Sequence, residues 1–114
     1  MARLLGNFTD AAHQRHTILF NEFEIIFTIR FFPLIQMWTF DCEYKDFNVY
    51  GQKLSCGTTH IKELNQPFDF VVTDNQQAGL DPMFADDFSS GRCSIYLLEP
   101  EDMRDIRNGV EVEL

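Results

Sequence analysis

The segment EIIFTIRFF, residues 24–32, is the strongest indicator of the fold because its side chains alternate as those of a β-strand do. Successive side chains of a strand point to opposite faces. One face then carries Ile25, Phe27, Ile29 and Phe31, and the other carries Glu24, Ile26, Thr28, Arg30 and Phe32. Both faces are largely apolar, so this strand is central in a two-layer fold or has its outer face covered by another subunit.

Further alternating segments lie on both sides of this strand. Thr17–Phe20 precedes it across the polar pair Asn21-Glu22, which predicts a β-hairpin. After Pro33, residues 38–45 alternate between an apolar face that begins with Trp38 and a polar one. Additional strands are predicted over residues 47–50 and 53–56 around a turn at Gly51, and over residues 68–73 and 93–98.

The pattern predicts a mainly β protein with one domain over residues 1–114. We expect a small antiparallel β-sandwich or barrel of about six to eight strands with a short C-terminal helix. Residues 1–12 would be an N-terminal arm, residues 13–99 the β core, and residues 100–114 the helix and a tail. Pro100, the acids that follow it, the later arginines and Gly109 are typical of one short helix.

Composition points to contact with partner proteins. The chain carries a formal charge of −9, which disfavours nucleic acid and anionic membranes as partners. Twelve phenylalanines are more than a core of this size usually needs, so we expect some of them at an interface. The acids are concentrated from residue 58 onward, which indicates either a solvated surface or an electrostatic docking face. No apolar stretch reaches the about 20 residues of a membrane span.

No group of residues makes a convincing catalytic or metal site. His13 and His16 would point to opposite faces of a strand, so they are expected not to share a metal ion. Asp81, Asp86 and Asp87 are candidates for a calcium site, although acids in such a loop more often cap turns. We therefore expect no enzyme activity and no cofactor.

Seven short motifs, in this order, together resemble a known family. They are Gln14 before Thr17–Phe20, then Phe27–Phe31, Trp38-x-Phe40-Asp41, Gly51-x-x-Leu54-x-x-Gly57, Phe70–Val72, Asp81-Pro82 leading to Asp87-Phe88, and Tyr96-x-Leu98-x-Pro100-Glu101. The combination is similar to the baseplate plug proteins of contractile-tailed phages, of the type first described in a cyanophage. The similarity spans residues 14–102, which is most of the chain.

The resemblance implies a structural role in the virion, where the protein would be part of the tail baseplate after synthesis in the host cytoplasm. Family members pack in the hub and close the lumen of the tail tube before ejection. Partners would then be the hub, the tube and the tape measure protein, and threefold association of the chain would suit the hub. Two other hypotheses stay open: a small acidic phage protein that inhibits a host protein, and a small hydrolase or metal-dependent enzyme.

The residues predicted to contact partners come from two segments. The first is the outer face of the strand over residues 24–32, and the second is the acidic loop, residues 81–88. They are Ile26, Thr28, Arg30 and Phe32 on the strand, and Asp81, Asp86, Asp87 and Phe88 in the loop.

Overall fold

A computed structural model describes residues 2–61 and 64–109 of the chain, and these form seven β-strands and one α-helix. The elements are β1 Arg3–Leu5, β2 His13–Phe20, β3 Phe23–Phe32, β4 Met37–Tyr44, β5 Phe47–Lys53, β6 Asp69–Asp74, β7 Cys93–Leu98 and α1 Pro100–Arg107. The prediction of a mainly β protein with a short C-terminal helix is confirmed.

The strands form two antiparallel sheets that pack face to face as a sandwich. One sheet has the order β1-β7-β6 and the other has the order β2-β3-β4-β5. Rings from the two sheets meet between them, since Phe27 of β3 stacks on Phe70 of β6 with ring centroids 4.3 Å apart. Of the two predicted alternatives, sandwich and barrel, the structure therefore shows the sandwich.

Strand β3, which contains the segment 24–32, lies inside the four-stranded sheet and forms the predicted hairpin with β2. Phe20 and Phe23 are partners across the turn, and Asn21 and Glu22 both have positive φ angles, 47° and 67°. Two such residues in a two-residue loop match the right-handed twist of the strands they connect. The polar pair thus fixes the register, and a fixed register keeps the apolar residues of β3 on their correct faces.

The core follows the predicted alternation. Ile25, Phe27 and Ile29 of β3 are fully buried. The other apolar strand residues with no exposed area are Trp38, Phe40 and Cys42 of β4, Phe70 and Val72 of β6, and Ile95 and Leu97 of β7. The outer residues of β3 stay half-buried or exposed, so nothing among the described residues covers that face.

The segment around Gly51 differs from the prediction of two strands and a turn. A single strand, β5, runs through Gly51, and residues 54–56 lie outside it. Phe40 pairs with Gln52 and Cys42 with Val49, so Tyr50 and Gly51 both lie opposite Asp41. This is a β-bulge, in which one extra residue is accommodated by glycine at positive φ. Gly51 has φ +66°, and its N–H donates to Asp41 Oδ1 at 2.8 Å.

Replacing Gly51 by alanine should lower the free energy of unfolding by about 1–2 kcal/mol, the cost of a left-handed conformation for a residue with a Cβ. An added Cβ would have no heavy atom within 4 Å, so any loss comes from the backbone and not from a clash. Urea unfolding of Gly51→Ala beside Gly6→Ala measures this, because Gly6 has equal space and no positive φ. Equal stability of the two variants would contradict the bulge.

The N-terminal residues add a strand to the smaller sheet, and the helix α1 follows the last strand of that sheet. Within the predicted N-terminal arm, β1 adds a third strand beside β7, an element that the pattern did not indicate. The helix α1 begins at Pro100 as predicted, and Asp102 Oδ2 accepts the Glu99 N–H at 2.9 Å. The predicted tail 110–114 lies outside the described residues. Within the described residues, no helix is long and apolar enough to span a membrane.

Candidate functional site

The outer face of the β2–β5 sheet holds a groove of about 710 Å³. Its lining is drawn from all four strands because alternate residues of each strand point outward. The lining residues are His13, Arg15, Ile26, Thr28, Arg30, Phe32, Thr39, Asp41, Glu43, Tyr50 and Gly51. The four strand residues predicted to contact a partner, Ile26, Thr28, Arg30 and Phe32, therefore lie together in one groove.

The groove carries positive and negative charges on different strands. Arg30 on β3 forms a salt bridge of 3.1 Å with Asp41 on β4, and about half of the Arg30 side chain is exposed. Asp41 also accepts the Gly51 N–H, so its carboxylate is already used within the chain. Glu43 has a weaker contact, with the Tyr50 hydroxyl at 3.4 Å. The face thus has one pair of opposite charges, Arg30 and Asp41, near its centre. The Glu43 carboxylate, two residues further along β4, makes a weaker contact.

The turn between β3 and β4 exposes apolar side chains at one end of the groove. Leu34 is 100% exposed, Ile35 is 62% exposed and Phe32 beside them is 44% exposed. No charged residue occurs from residue 31 to residue 40. A contiguous exposed apolar patch on a small domain marks an interaction site. We call Phe32, Leu34 and Ile35 the apolar tip.

The second predicted contact segment, the acidic loop, is more internal than expected. Asp81 accepts the Cys56 N–H at 2.8 Å and forms a salt bridge of 3.1 Å with Lys53. Asp86 is exposed. Asp81 thus anchors the loop to the segment after β5 while about a third of its side chain stays exposed, and of the three candidate acids Asp86 is in the exposed class.

Asp87 and Phe88 are buried, which corrects the expectation of an accessible contact. Phe88 is 7% exposed and packs edge-on against Trp38 with ring centroids 5.3 Å apart. Asp87 is 2% exposed and accepts two hydrogen bonds from Arg92, from Nε at 2.8 Å and from Nη2 at 2.7 Å. These two residues hold the loop on the sandwich. They could contact a partner only if the loop detached from the sandwich.

Hydrogen bonds reverse the effect of burial on the Asp87 carboxyl. Burial by itself would raise its pKa, but hydrogen bonds from Arg92 and from the Phe84 and Met83 N–H groups lower it. Asp87 is therefore ionised and paired at neutral pH.

Among the described residues, no three His, Cys, Asp or Glu side chains come together to hold a metal ion.

Two of the thiols are buried, and His60 is held by main-chain hydrogen bonds. Burial raises the pKa of Cys42 and of Cys93 to about 12, so both are neutral thiols near pH 7 and poor nucleophiles. His60 Nε2 accepts the Ser55 N–H at 2.9 Å, so Nδ1 carries the proton and donates to the Phe70 carbonyl at 2.7 Å. His60 is thus occupied by two main-chain contacts.

The two N-terminal histidines are separated as predicted. His13 lines the groove on the outer face. His16 lies on the inner side of β2, where its ring is 4.5 Å from that of Phe8 and burial lowers its pKa. They lie on opposite faces of one strand and cannot bind the same metal ion.

The sequence pattern did not indicate two features of this surface. Tyr50 and Gly51 line the groove because of the bulge, and Phe32, Leu34 and Ile35 form an exposed apolar tip. The uncharged stretch from residue 31 to residue 40 was the available signal for the tip.

The sequence matches no protein-family model, and no curated protein matches it.

Proposed function

We propose that this protein is a structural subunit of a contractile phage tail baseplate, a plug-like component of the hub that acts by packing and has no catalytic role. The observation that carries the proposal is the exposed apolar tip beside the uncovered face of β3, where Leu34 is fully exposed. Removing such surface from water is favourable by about 25 cal/mol per Å² of apolar area, and the entropy lost on association opposes this gain.

The chemistry of this surface supports assembly over catalysis. Interfaces of permanent complexes resemble a protein core cut in half, and aromatic residues are enriched in them. Phe32 and Tyr50 are exposed aromatics on or beside the outer face. The placement in a phage baseplate, with hub, tube and tape measure proteins as neighbours, comes from the ordered motifs that resemble the plug family.

Mass spectrometry of purified phage particles tests this proposal. A structural subunit is expected in every particle at a few copies. A host-directed inhibitor would instead be abundant in infected cells and missing from purified virions, and that outcome would overturn the proposal.

Phe32→Asp is expected to abolish incorporation into tails while leaving a folded domain. Phe32 is 44% exposed, so the change adds a charge to the surface and leaves the core intact. Quantitative mass spectrometry of virions carrying the variant measures incorporation. Leu4→Asp is the control, because Leu4 is 58% exposed on β1 of the other sheet and should be incorporated normally. Normal incorporation of Phe32→Asp would contradict the use of this face.

A further inference from the structure

We propose that the outer face of the β2–β5 sheet binds the same face of a second copy of this chain, around a two-fold axis that runs along β3. This inference deepens the proposed function and rests on its use of this face for assembly. The apolar tip, at the end of the face, then remains for neighbouring proteins of different sequence.

The strand register arranges opposite charges on the two sides of β3. Arg15 of β2 lies opposite Thr28 of β3, and Thr28 lies opposite Asp41 of β4. Glu43 is two residues further along β4, opposite Ile26. The face therefore has a cation on one flank and two carboxylates on the other, and the strand between them carries neutral side chains and Arg30.

A two-fold axis along β3 exchanges the two flanks. In a contact of this kind the same patch is used by both copies, so residue i meets residue j and residue j meets residue i. Rotation places β2 of one copy over β4 of the other. Arg15 of one copy then lies over Asp41 and Glu43 of the other, and symmetry repeats the contact once.

Two of the charges that meet, Arg15 and Glu43, have few contacts among the described residues of their own copy. Arg15 makes no salt bridge with any residue in the described part of the chain, and its side chain is exposed. Among the described residues, the polar contact of the Glu43 side chain is the one with the Tyr50 hydroxyl at 3.4 Å. Arg30 lies on the axis strand, where it would meet its own copy, but the salt bridge to Asp41 neutralises it. The paired contact satisfies Arg15 and Glu43. Glu24, which would also face its own copy, is exposed near the end of β3 and outside the groove lining.

The balance of charge on this face also favours a second copy. The chain as a whole carries −9, so most of its surface repels another copy. The groove lining contains two arginines and two carboxylates, so its formal charges cancel with its histidine neutral. Two copies can therefore approach on this face without the repulsion expected elsewhere.

The dimensions suit a modest interface. Strands of seven to ten residues rise about 3.4 Å per residue and lie about 4.8 Å apart, so the flat footprint is about 500 Å². The accessible area is larger because side chains stand out of the sheet, and standard interfaces bury about 800 Å² per partner. We therefore expect a reversible dimer of the isolated chain.

Sedimentation velocity of the full chain tests the proposal with two charge reversals. Arg15→Glu and Glu43→Arg should each weaken dimerisation by about 100-fold or more, because each replaces two attractive contacts with two like-charge contacts. An equimolar mixture of the two variants should regain a dimer, since the introduced glutamate of one variant would then face the introduced arginine of the other. Arg104→Glu changes the net charge as Arg15→Glu does, but on the helix, and should dimerise like the wild type.

The outcomes separate this inference from the proposed function. A wild-type mass of one chain or of three chains would overturn the two-fold contact, and so would a mixture that stays monomeric. Circular dichroism of each variant establishes that it is folded, as expected for exposed side chains. Presence in virions tests the baseplate role separately, whatever the mass in solution.

Discussion

Replacing Asp87 by alanine is expected to lower the free energy of unfolding by about 3–5 kcal/mol, the range for removing one partner of a buried ion pair. The side chain of Asp87 is 3% exposed and that of Arg92 is 13% exposed. Without the carboxylate, the N–H groups of Met83 and Phe84 lose their acceptor. The Arg92 guanidinium loses two hydrogen bonds and its closest salt bridge, and it keeps the Leu80 and Asp81 carbonyls and Asp74. Total stabilities of single domains are about 5–15 kcal/mol, so the loss is a large fraction.

Asp86→Ala is the matched control for this prediction. Asp86 is the adjacent acid and is exposed, so its removal should change the free energy of unfolding by less than about 0.5 kcal/mol. Urea denaturation of both variants and the wild type gives the comparison. A loss for Asp87→Ala no larger than that for Asp86→Ala would refute the structural role of the pair.

The same carboxylate should contribute to acid unfolding. The pKa of Asp87 is lowered in the folded state, since its hydrogen bonds outweigh the opposing effect of burial. Its stabilisation is therefore fully present above the unfolded value of about 3.9 and is lost as the pH falls through the lower folded pKa. We expect the stability difference between wild type and Asp87→Asn to shrink across that window when unfolding is measured at decreasing pH.

The strands could be predicted because one residue pattern determined both their existence and their phase. Alternation with period two assigned Phe27 inward and Phe32 outward, and the structure has them so. The polar pair Asn21-Glu22 also fixed the hairpin register. Such information is local, since each residue's face depends only on its own strand.

The bulge and the buried acids depend on contacts with residues outside their own strand or turn, and an alternation with period two carries no information about those contacts. Asp69 is completely buried, although aspartate is mostly exposed in folded proteins. Its Oδ1 accepts N–H groups of His60, Ile61 and Phe70, at 2.7–2.9 Å. Burial raises its pKa, with those hydrogen bonds opposing the shift. Nothing near Asp69 in the sequence indicates that a loop beginning nine residues earlier turns its N–H groups inward.

Only part of the candidate site could be predicted, because alternation gives the face of a strand residue and carries no information about contacts of a loop. The outward residues of β3 were found because they follow the strand phase, and they line the groove. The acidic loop was predicted as a surface from its composition, whereas Asp87 and Phe88 are internal. Composition gives the charge of a loop but does not show which of its acids pairs with an arginine. Here the pair is Asp87 and Arg92, five residues later in the sequence.

Phe27→Ala is expected to lower the free energy of unfolding by about 3–5 kcal/mol, the usual cost of truncating a buried phenylalanine. Phe27 is fully buried and stacks on Phe70 of the opposite sheet with the two ring planes 25° apart. It also lies 5.6 Å from the ring of Phe40. The change opens a cavity between the two sheets, and aromatic contacts of this kind contribute about 0.5–1.5 kcal/mol beyond their buried area.

Phe32→Ala provides a control with the same residue type on the same strand. Phe32 is 44% exposed on the outer face, so its truncation should cost the isolated chain less than about 1 kcal/mol. Urea unfolding at low protein concentration, where a dimer would dissociate, compares the two variants as monomers. Similar losses for Phe27→Ala and Phe32→Ala would mean that the faces of β3 are wrongly assigned. A large difference would support a buried inner face and leave the outer face available for assembly.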